Sequence, residues 1–343
     1  MSTTENAAPA RTTMRALVQD RYGGPDVLRT ADVPLPTPGP GEVRVRLGAS
    51  SVNARDWHVM RGEPRLARLL DRRIFGLRAP KLAIRGTDFA GTVDATGPDV
   101  TQWQPGDRIL GEADGAWAEY VIAAQDAIAA IPRAMSFEQA AALPLAGTTA
   151  LTCLSAGQPQ AGDQLLINGA SGGVGTFAVQ MAHTMGLRIT AVCSARNADQ
   201  ARALGADTVV DYAVEDFCGR PDRYDMVLDL VGNRPVRALR RLLRPTGTLV
   251  LSGGGVPGAG RYVGPLALLV RAQLLARRPG PRIVVPQAQP TTGMLMEIAA
   301  LVQSGTLAPV IDRIYALDDG AEAVRYVETE HARGKVIITI VAT

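Results

Sequence analysis

The 343-residue sequence has little lysine, although basic residues are not scarce. Lys81 and Lys335 are its two lysines, so 34 of its 36 basic residues are arginine. The 33 acidic residues nearly balance them and leave a net charge of +3. A nucleic-acid-binding protein needs basic residues that outnumber acids on one face, so no nucleic-acid partner is expected. The arginine excess is typical of GC-rich codon usage.

Cysteine is also scarce. Cys153, Cys193 and Cys218 are odd in number and far apart, with no CxxC spacing. This arrangement argues against a disulfide scaffold and against a structural zinc site, which needs four closely spaced ligands. It is typical of a reducing compartment, and we predict a cytoplasmic location.

Long apolar runs are missing as well. The longest, at 262–276, is interrupted by Arg271 and is too short to span a bilayer. Residues 1–13 are polar and rich in threonine, alanine and proline, without the apolar centre of a secretory signal. We therefore predict no membrane span and a disordered leader at 1–13.

The remaining sequence has an ordinary globular composition, with 46% hydrophobic and 20% charged residues, and its length favours two domains. Up to residue 135, short alternating segments separated by glycine and proline predict a β-barrel with an arginine-rich insert at 61–81. From residue 136, apolar strands alternate with helices. This alternation predicts an α/β fold with a doubly wound parallel sheet, whose edge we place at 283–285.

The clearest motif is a glycine-rich turn between an apolar strand at 164–168 and an apolar helix at 174–185. A dinucleotide diphosphate needs such a turn, because side chains would block it and the helix N-terminus offers free N–H groups and a positive dipole end. We predict a dinucleotide site here. Its expected contacts are Ser171, Gly172, Gly173 and Val174.

The end of the second parallel strand distinguishes NADPH from NADH. An NAD site usually carries an acid there for the ribose 2′-hydroxyl, whereas this sequence has Ser194 and Arg196. A hydroxyl and a guanidinium suit a 2′-phosphate, so we predict NADPH. Asp199 stays an alternative ribose ligand, although it lies early in the next helix. Tyr212, past the third strand, is placed beside the adenosine or at the edge of the core.

In these features the sequence resembles the zinc-independent quinone oxidoreductase branch of the medium-chain dehydrogenase/reductase superfamily. Within that branch it is most similar to reductases related to the reticulon-interacting quinone reductase. Besides the turn at 169–175, the segments that carry the resemblance are VNARD (52–56), GTDFAG (86–91), PGDR (105–108), AWAEYV (116–121), LPLAGTTA (143–150), LGAD (204–207) and HARGKV (331–336).

The resemblance implies a GroES-like β-barrel domain formed by residues 14–135 and 287–343, and a Rossmann NADPH-binding domain at 136–286. It implies hydride transfer from NADPH to a quinone or an α,β-unsaturated carbonyl. It also implies a homodimer joined through the sheet edge at 283–285.

Site residues follow from the resemblance by position. Asn53 would offer its amide to the substrate carbonyl and Asp56 would hold that loop; a plain helix cap is the alternative. Thr148 would reach the nicotinamide or cap its helix. The other implied cofactor contacts are Val231, Gly232, Ser252, Gly253 and Lys335.

The resemblance also bears on whether the protein has a metal site. Zinc alcohol dehydrogenases carry a cysteine where this chain has Asn53, and a histidine where it has Thr87. His58 has no partner at a credible spacing, so we predict no metal site. Without a Lewis acid, an electron-poor acceptor is easier to reduce than an ordinary carbonyl.

Three functions stay open: the quinone or enone reductase, a trans-acting enoyl reductase or carbonyl/alcohol dehydrogenase, and a non-enzymatic NADPH-binding regulatory or structural protein. No side chain stands out as proton donor. Tyr22 and Tyr120 are the tyrosines of the N-terminal part of the predicted barrel, residues 14–135, and neither matches the enoyl-reductase pattern, so we expect water or a weak polar contact. The apolar stretch at 258–281 is predicted to pack on the sheet, cover the pocket or contact another subunit.

Overall fold

The structure is a computed structural model that describes residues 11–66, 68, 75–253, 272–277, 279–330 and 332–340. The predicted leader up to residue 10 and the central parts of the two predicted inserts, 69–74 and 258–271, lie outside the described residues. Among the described residues, no helix is long and apolar enough to cross a membrane.

The N-terminal strands form a small two-stranded sheet and most of a larger antiparallel sheet. In β3 (Glu42–Val52), Val43, Val45 and Leu47 are buried and Arg46 faces solvent, as the predicted alternation requires. The other strands of this half are β1 (Thr13–Val18), β2 (Arg29–Pro34), β4 (Asp88–Thr96), β5 (Arg108–Glu112), β6 (Tyr120–Ala124) and β7 (Ile128–Ala130).

Two strands from the end of the chain join the larger sheet. β15 (Lys335–Thr339) pairs antiparallel with β3 and parallel with β14 (Ile311–Ala316). The strand order is β14-β15-β3-β4-β5-β7, with β6 also paired to β3. The chain therefore returns to its N-terminal sheet, whereas the residues at which the domains divide stay a prediction.

The second sheet is parallel, with the order β10-β9-β8-β11-β12-β13. The order reverses between β8 and β11, so the neighbouring loops diverge there and leave room for a ligand at the carboxyl edge. Its first strand in the chain has the predicted bounds, 164–168. The six strands are β8 (Gln164–Asn168), β9 (Arg188–Cys193), β10 (Thr208–Asp211), β11 (Tyr224–Asp229), β12 (Leu243–Leu251) and β13 (Arg282–Val284).

The helices also follow the predicted pattern closely. Ser136 caps the helix that follows it, because its side chain accepts a hydrogen bond from the Gln139 N–H. Residues 272–276 are helical, and Ala272 and Leu275 pack on the parallel sheet. The longer described helices are α1 (Ala54–Arg61), α2 (Phe137–Ala141), α3 (Pro144–Gly157), α4 (Gly173–Thr184), α5 (Ala198–Ala203), α6 (Val236–Arg241), α7 (Thr292–Gln303) and α8 (Gly320–Thr329).

One apolar cluster joins the two sheets. It contains Ala49 and Ala90 of the barrel sheet, Ala146 of α3, and Leu165 and Phe177 of the parallel sheet and its first helix. Because burial of apolar surface is the main stabilising term, this shared core fixes the barrel against the parallel sheet. The space between them is therefore a cleft with packed walls.

The turn from β8 into α4 requires glycine at residue 175. A Cβ on Gly175 would lie 2.1 Å from the carbonyl oxygen of Gly169 and 2.6 Å from the carbonyl carbon of Ala170. These are backbone atoms, which cannot rotate away as a side chain can.

We expect Gly175→Ala to lower the free energy of unfolding by about 3 kcal/mol, because overpacking against backbone must displace the turn. The matched control is Gly219→Ala, since nothing lies within 4 Å of a Cβ at Gly219. Urea unfolding of both variants measures the difference. Equal stability of the two variants would contradict the assigned role of Gly175.

Candidate active site

Asp88, on β4, is the centre of a buried polar cluster. Its side chain has no exposure to solvent. Four groups donate hydrogen bonds to its carboxylate: Ser51 Oγ at 2.6 Å, Asn53 Nδ2 at 3.0 Å, the Leu145 N–H at 3.0 Å and Lys335 Nζ at 3.1 Å. A buried charge is tolerated only when it is paired and hydrogen-bonded, and this one is both. The donors come from β3, the start of α1, the start of α3 and β15.

Lys335 connects this cluster to the glycine-rich turn. Its ammonium is 2% exposed and also donates to Asn53 Oδ1 at 2.5 Å. A Cβ on Gly173 would lie 3.0 Å from Lys335 Cδ, so the aliphatic stem of the lysine runs beside the first turn of α4. The resemblance placed Lys335 near the cofactor, and the structure puts its stem at the turn and its charged end in the buried cluster.

Asn53 is oriented differently from the prediction. Its amide oxygen accepts from Lys335 and its Nδ2 donates to Asp88, whereas the resemblance implied an amide offered to the substrate carbonyl. Asn53 precedes α1, and its backbone N–H donates to Asp56 Oδ2 at 2.7 Å, so this contact at the helix start is made by the carboxylate of Asp56. Asp56 therefore holds this loop, as predicted. Burial raises the pKa of Asp56 to about 7.

The positions that correspond to zinc ligands do not fit a zinc ion. At Asn53 the nearest partner is the ammonium of Lys335, which would repel a cation. Within the described ranges, no three His, Cys, Asp or Glu side chains are placed to hold a metal. His58 stacks on Trp57 at a centroid distance of 3.6 Å, and burial lowers its pKa to about 4, so it is a neutral buried ring.

A cavity of about 210 Å³ lies beside this cluster, between the barrel and the parallel sheet. Its wall includes side chains from α1, β5, α3 and the end of β12. Among these lining residues are Arg55, Glu112, Leu145, Thr148, Cys153 and Ser252. Two predicted cofactor residues, Thr148 and Ser252, thus line one cavity.

Thr148 and Cys153 both belong to α3, and neither offers a strong acid. Thr148 lies inside the helix, so the predicted alternative of N-capping is wrong; its hydroxyl donates to the Pro144 carbonyl at 2.6 Å. That hydroxyl hydrogen is therefore used within the helix instead of reaching outward. Burial raises the pKa of the Cys153 thiol to about 11, so it stays neutral.

Glu112 was missed by sequence reasoning. It ends β5 directly opposite Asp88 in the antiparallel pair, so both carboxyl groups lie on the same face of the sheet. Burial, followed by the neighbouring Asp88 charge, raises the pKa of Glu112 to about 8. An acidic residue at the end of an apolar strand was the available signal, but its partner strand could not be read from the sequence.

The predicted cofactor residues lie along the carboxyl edge of the parallel sheet. They follow β8, β9, β10, β11 and β12, which are adjacent in that sheet. In sheet order, from β10 to β12, they are Tyr212; Ser194 and Arg196; Ser171, Gly172, Gly173 and Val174; Val231 and Gly232; Ser252 and Gly253.

Asp229 shapes the middle of this edge. It is fully buried at the end of β11 and accepts from the N–H groups of Val231 at 3.1 Å and Gly232 at 3.0 Å. It also accepts from Asn168 Nδ2 at 2.8 Å, which fixes the end of β8 to the end of β11. A Cβ on Gly253 would lie 2.5 Å from the Gly232 nitrogen, so the two loops approach as backbone against backbone.

The end of β9 contacts the glycine-rich turn through a second missed residue. Asn197 is buried, and its Nδ2 donates to Ser171 Oγ at 2.9 Å. Arg196 is exposed and donates to the carbonyl of Glu330. Tyr212 is 42% exposed at the outer end of the edge.

Two family profiles match the chain. The profile described as "Alcohol dehydrogenase GroES-like domain" matches residues 39–133, and the one described as "Zinc-binding dehydrogenase" matches residues 204–338. Together with the barrel sheet and the parallel sheet, they define a two-domain dehydrogenase/reductase with a GroES-like domain and a Rossmann-type domain.

Named relatives place the chain more narrowly. It is 32% identical to the chloroplastic quinone-oxidoreductase QR1 of Triphysaria versicolor, over 95% of this chain and 98% of the relative. It is also 32% identical to the mitochondrial NAD(P)H oxidoreductase RTN4IP1 of Mus musculus, over 96% and 90%. The chain belongs to the zinc-independent quinone oxidoreductase-like branch of the medium-chain dehydrogenase/reductase superfamily, and it is an NAD(P)H-dependent oxidoreductase.

Solved structures agree with this assignment. The quinone oxidoreductase from Coxiella burnetii has a TM-score of 0.84 and 30% identity, covering 96% of this chain and 100% of that one. Mycobacterial Rv1454c complexed with NADPH has a TM-score of 0.76 and 29% identity, covering 95% and 99%. The predicted family and fold class are confirmed. The cytoplasmic location stays a prediction, because the two named relatives are chloroplastic and mitochondrial.

We expect Lys335→Met to lower the free energy of unfolding by about 3–5 kcal/mol, because it leaves Asp88 as a buried charge without its cation. The chain provides a matched control in its other lysine, since Lys81 is exposed. Lys81→Met should change the free energy by less than about 0.5 kcal/mol. Chemical unfolding measures both, and a Lys335→Met variant as stable as Lys81→Met would contradict the role given to the buried pair.

Proposed function

We propose that the protein transfers a hydride from NADPH to a quinone or another α,β-unsaturated carbonyl acceptor. The observation that carries this proposal is the position of the 210 Å³ cavity. The cavity is lined on one side by Ser252, at the carboxyl edge of the parallel sheet, and on the other by Glu112, which belongs to the barrel. A dinucleotide on that edge therefore ends where an acceptor can enter.

The residues on the edge fit a dinucleotide. At Gly172 a Cβ would have no neighbour closer than 3.6 Å, so the turn has an open concave side that a side chain would fill. The N–H groups at the start of α4 have no acceptor within the helix and face a diphosphate favourably. In this assignment Ser171, Gly172, Gly173 and Val174 hold the diphosphate. The nicotinamide supplies a hydride when bound.

The preference for NADPH is supported by the end of β9. Ser194 and Arg196 stand where an NAD enzyme carries an acid, and a carboxylate there would repel a 2′-phosphate. Arg196 is exposed at this strand end, and in this assignment its guanidinium contacts the 2′-phosphate. Mycobacterial Rv1454c, a structural neighbour solved with NADPH, is consistent with this preference.

An activated acceptor suits the cavity better than a simple carbonyl. The zinc-ligand positions hold Asn53 and Thr87, and the ammonium of Lys335 lies at Asn53, so no Lewis acid polarises a carbonyl there. A conjugated C=C–C=O unit takes a hydride more readily because its negative charge is delocalised onto oxygen. The names of the relatives QR1 and the Coxiella burnetii enzyme support a quinone.

The proposal extends to the assembly. We propose domains of 14–135 with 287–343 and of 136–286, and a homodimer joined at β13, which is the last strand of the parallel sheet. An edge strand carries backbone groups that can pair with a second copy. Gel filtration with light scattering tests the dimer.

The function is tested by mixing the protein with NADPH and a panel of quinones, enones, aldehydes and enoyl thioesters. We expect absorbance of NADPH to fall with quinones or enones and to stay at the background rate with simple aldehydes. NADPH binding without oxidation by any acceptor would favour the non-enzymatic alternative. Reduction of thioesters alone would favour the enoyl reductase.

The cofactor preference is tested with Arg196→Glu. We expect the Kd for NADPH to rise about 10–100-fold, because charge-assisted hydrogen bonds contribute about 1.5–3 kcal/mol, while the Kd for NADH changes little. The control is Arg133→Glu, which makes the same charge change at an exposed arginine away from the sheet edge. Calorimetric titration of each variant with both cofactors gives the ratio. An unchanged ratio in Arg196→Glu would contradict the assignment.

A further inference from the structure

Reduction of an enone consumes a proton as well as a hydride, and the described part of the cavity wall contains one carboxyl group. Glu112 ends β5 and lines the cavity together with Thr148 and Ser252. Within the described residues its carboxyl group makes no hydrogen bond. A half-buried acid without a partner that faces an acceptor site needs an explanation, because such groups are normally paired.

The charges around Glu112 favour its neutral form. Asp88 on β4 lies directly opposite Glu112. The Asp88 carboxylate already accepts hydrogen bonds from four donors, and its cation, Lys335, is one of them. From α1, Asp56 opposes ionisation of Glu112 and Arg55 favours it; from β15, Lys335 favours it. Burial and the two aspartates outweigh the two cations, which raises the pKa of Glu112 to about 8. A group with this pKa is a protonated acid at neutral pH that can still release its proton.

We propose that Glu112 is the general acid that protonates the reduced acceptor. The assignment rests on the proposed reductase function and adds the residue that completes it. It replaces the expectation of water or a weak polar contact as proton source.

The proton transfer balances as follows. When a hydride from NADPH has formed a C–H bond at the β-carbon of an enone, the π electrons of the C=C bond have moved onto the carbonyl oxygen, and the acceptor is an enolate. The enolate α-carbon then forms a bond to the proton of Glu112 while the O–H bond of Glu112 breaks. Glu112 is left as a carboxylate and regains a proton from water.

Other polar groups near the cavity are less suited to this step. Thr148 donates its hydroxyl hydrogen to Pro144, and Cys153 has a pKa of about 11. Lys335 is bound to Asp88 and Asn53 inside the cluster. Glu112 is therefore better suited to give up a proton than any of these three groups.

The kinetic test compares Glu112→Gln with Glu297→Gln, which makes the same change on the exposed face of α7. With an enone and saturating NADPH, we expect kcat of Glu112→Gln to fall about 100-fold, since general acids contribute about 10²–10⁴, with little change in KM. The kcat of the wild type should fall above about pH 8, and this fall should be absent in Glu112→Gln. Glu112→Asp, which keeps an acid, should recover part of the rate.

A second measurement uses the protein without cofactor or acceptor. Because Glu112 is protonated in the folded state up to about pH 8 and ionises earlier when unfolded, the wild type should lose stability as pH rises from about 4.5 to 8. Glutamine does not titrate. The midpoint of thermal unfolding of the wild type, relative to Glu112→Gln, should therefore decrease across this range and level off above it.

The outcomes separate the two proposals. Absence of NADPH oxidation by the wild type would overturn the reductase function, and the role of Glu112 with it. Wild-type reduction with an unchanged kcat and pH profile in Glu112→Gln would overturn the role of Glu112 alone. Parallel pH–stability curves of wild type and Glu112→Gln would show that Glu112 is ionised in the cavity, which also overturns its role as the acid.

Discussion

The buried ion pair between Asp88 and Lys335 brings together segments that are far apart in the chain. Removing both charges from water is costly, and their attraction alone does not always offset that cost. Here further donors from Ser51, Asn53 and Leu145 complete the coordination of Asp88. The Leu145 N–H lies in the first turn of α3, whose own N-cap contributes no side-chain hydrogen bond. Asp88 therefore caps a helix that leads into the parallel sheet while it anchors two strands of the barrel.

The two sides of the cleft use different chemistry. On the parallel sheet, backbone groups and glycines form the surface, held by Asp229 at the ends of β8 and β11. On the barrel side, the surface is formed by buried carboxyl groups and one lysine, Lys335, and these groups determine the local charge. Lys335 belongs to both, because its stem lies beside Gly173 and its ammonium lies at Asp88. Lys335 therefore contacts both the glycine-rich turn and the buried carboxylate, a link in addition to the apolar core that the two sheets share.

The parallel sheet was predictable because its signals are local. The apolar run at 164–168 predicted the bounds of β8, and the spacing of the glycines located the turn before α4. The charged cluster was not predictable in the same way. Glu112 and Asp88 face each other through the register of two strands, and Lys335 arrives through the pairing of β15 with β3, so neither contact leaves a periodic pattern. Asn53 shows the limit of resemblance: its position in the family was transferable, but its hydrogen bonds depend on Lys335.

The separation of 247 residues between Asp88 and Lys335 has a consequence for biosynthesis. During translation, the early strands leave the ribosome long before their cation exists, and closing so long a loop is slow. Until β15 has been made, a carboxylate at Asp88 lacks the cation that pairs with it in the folded protein. Assembly of the cleft is thus a late step that follows synthesis of β15. A chain that stops before β15 lacks both the last strand of the barrel sheet and the cation that pairs with Asp88.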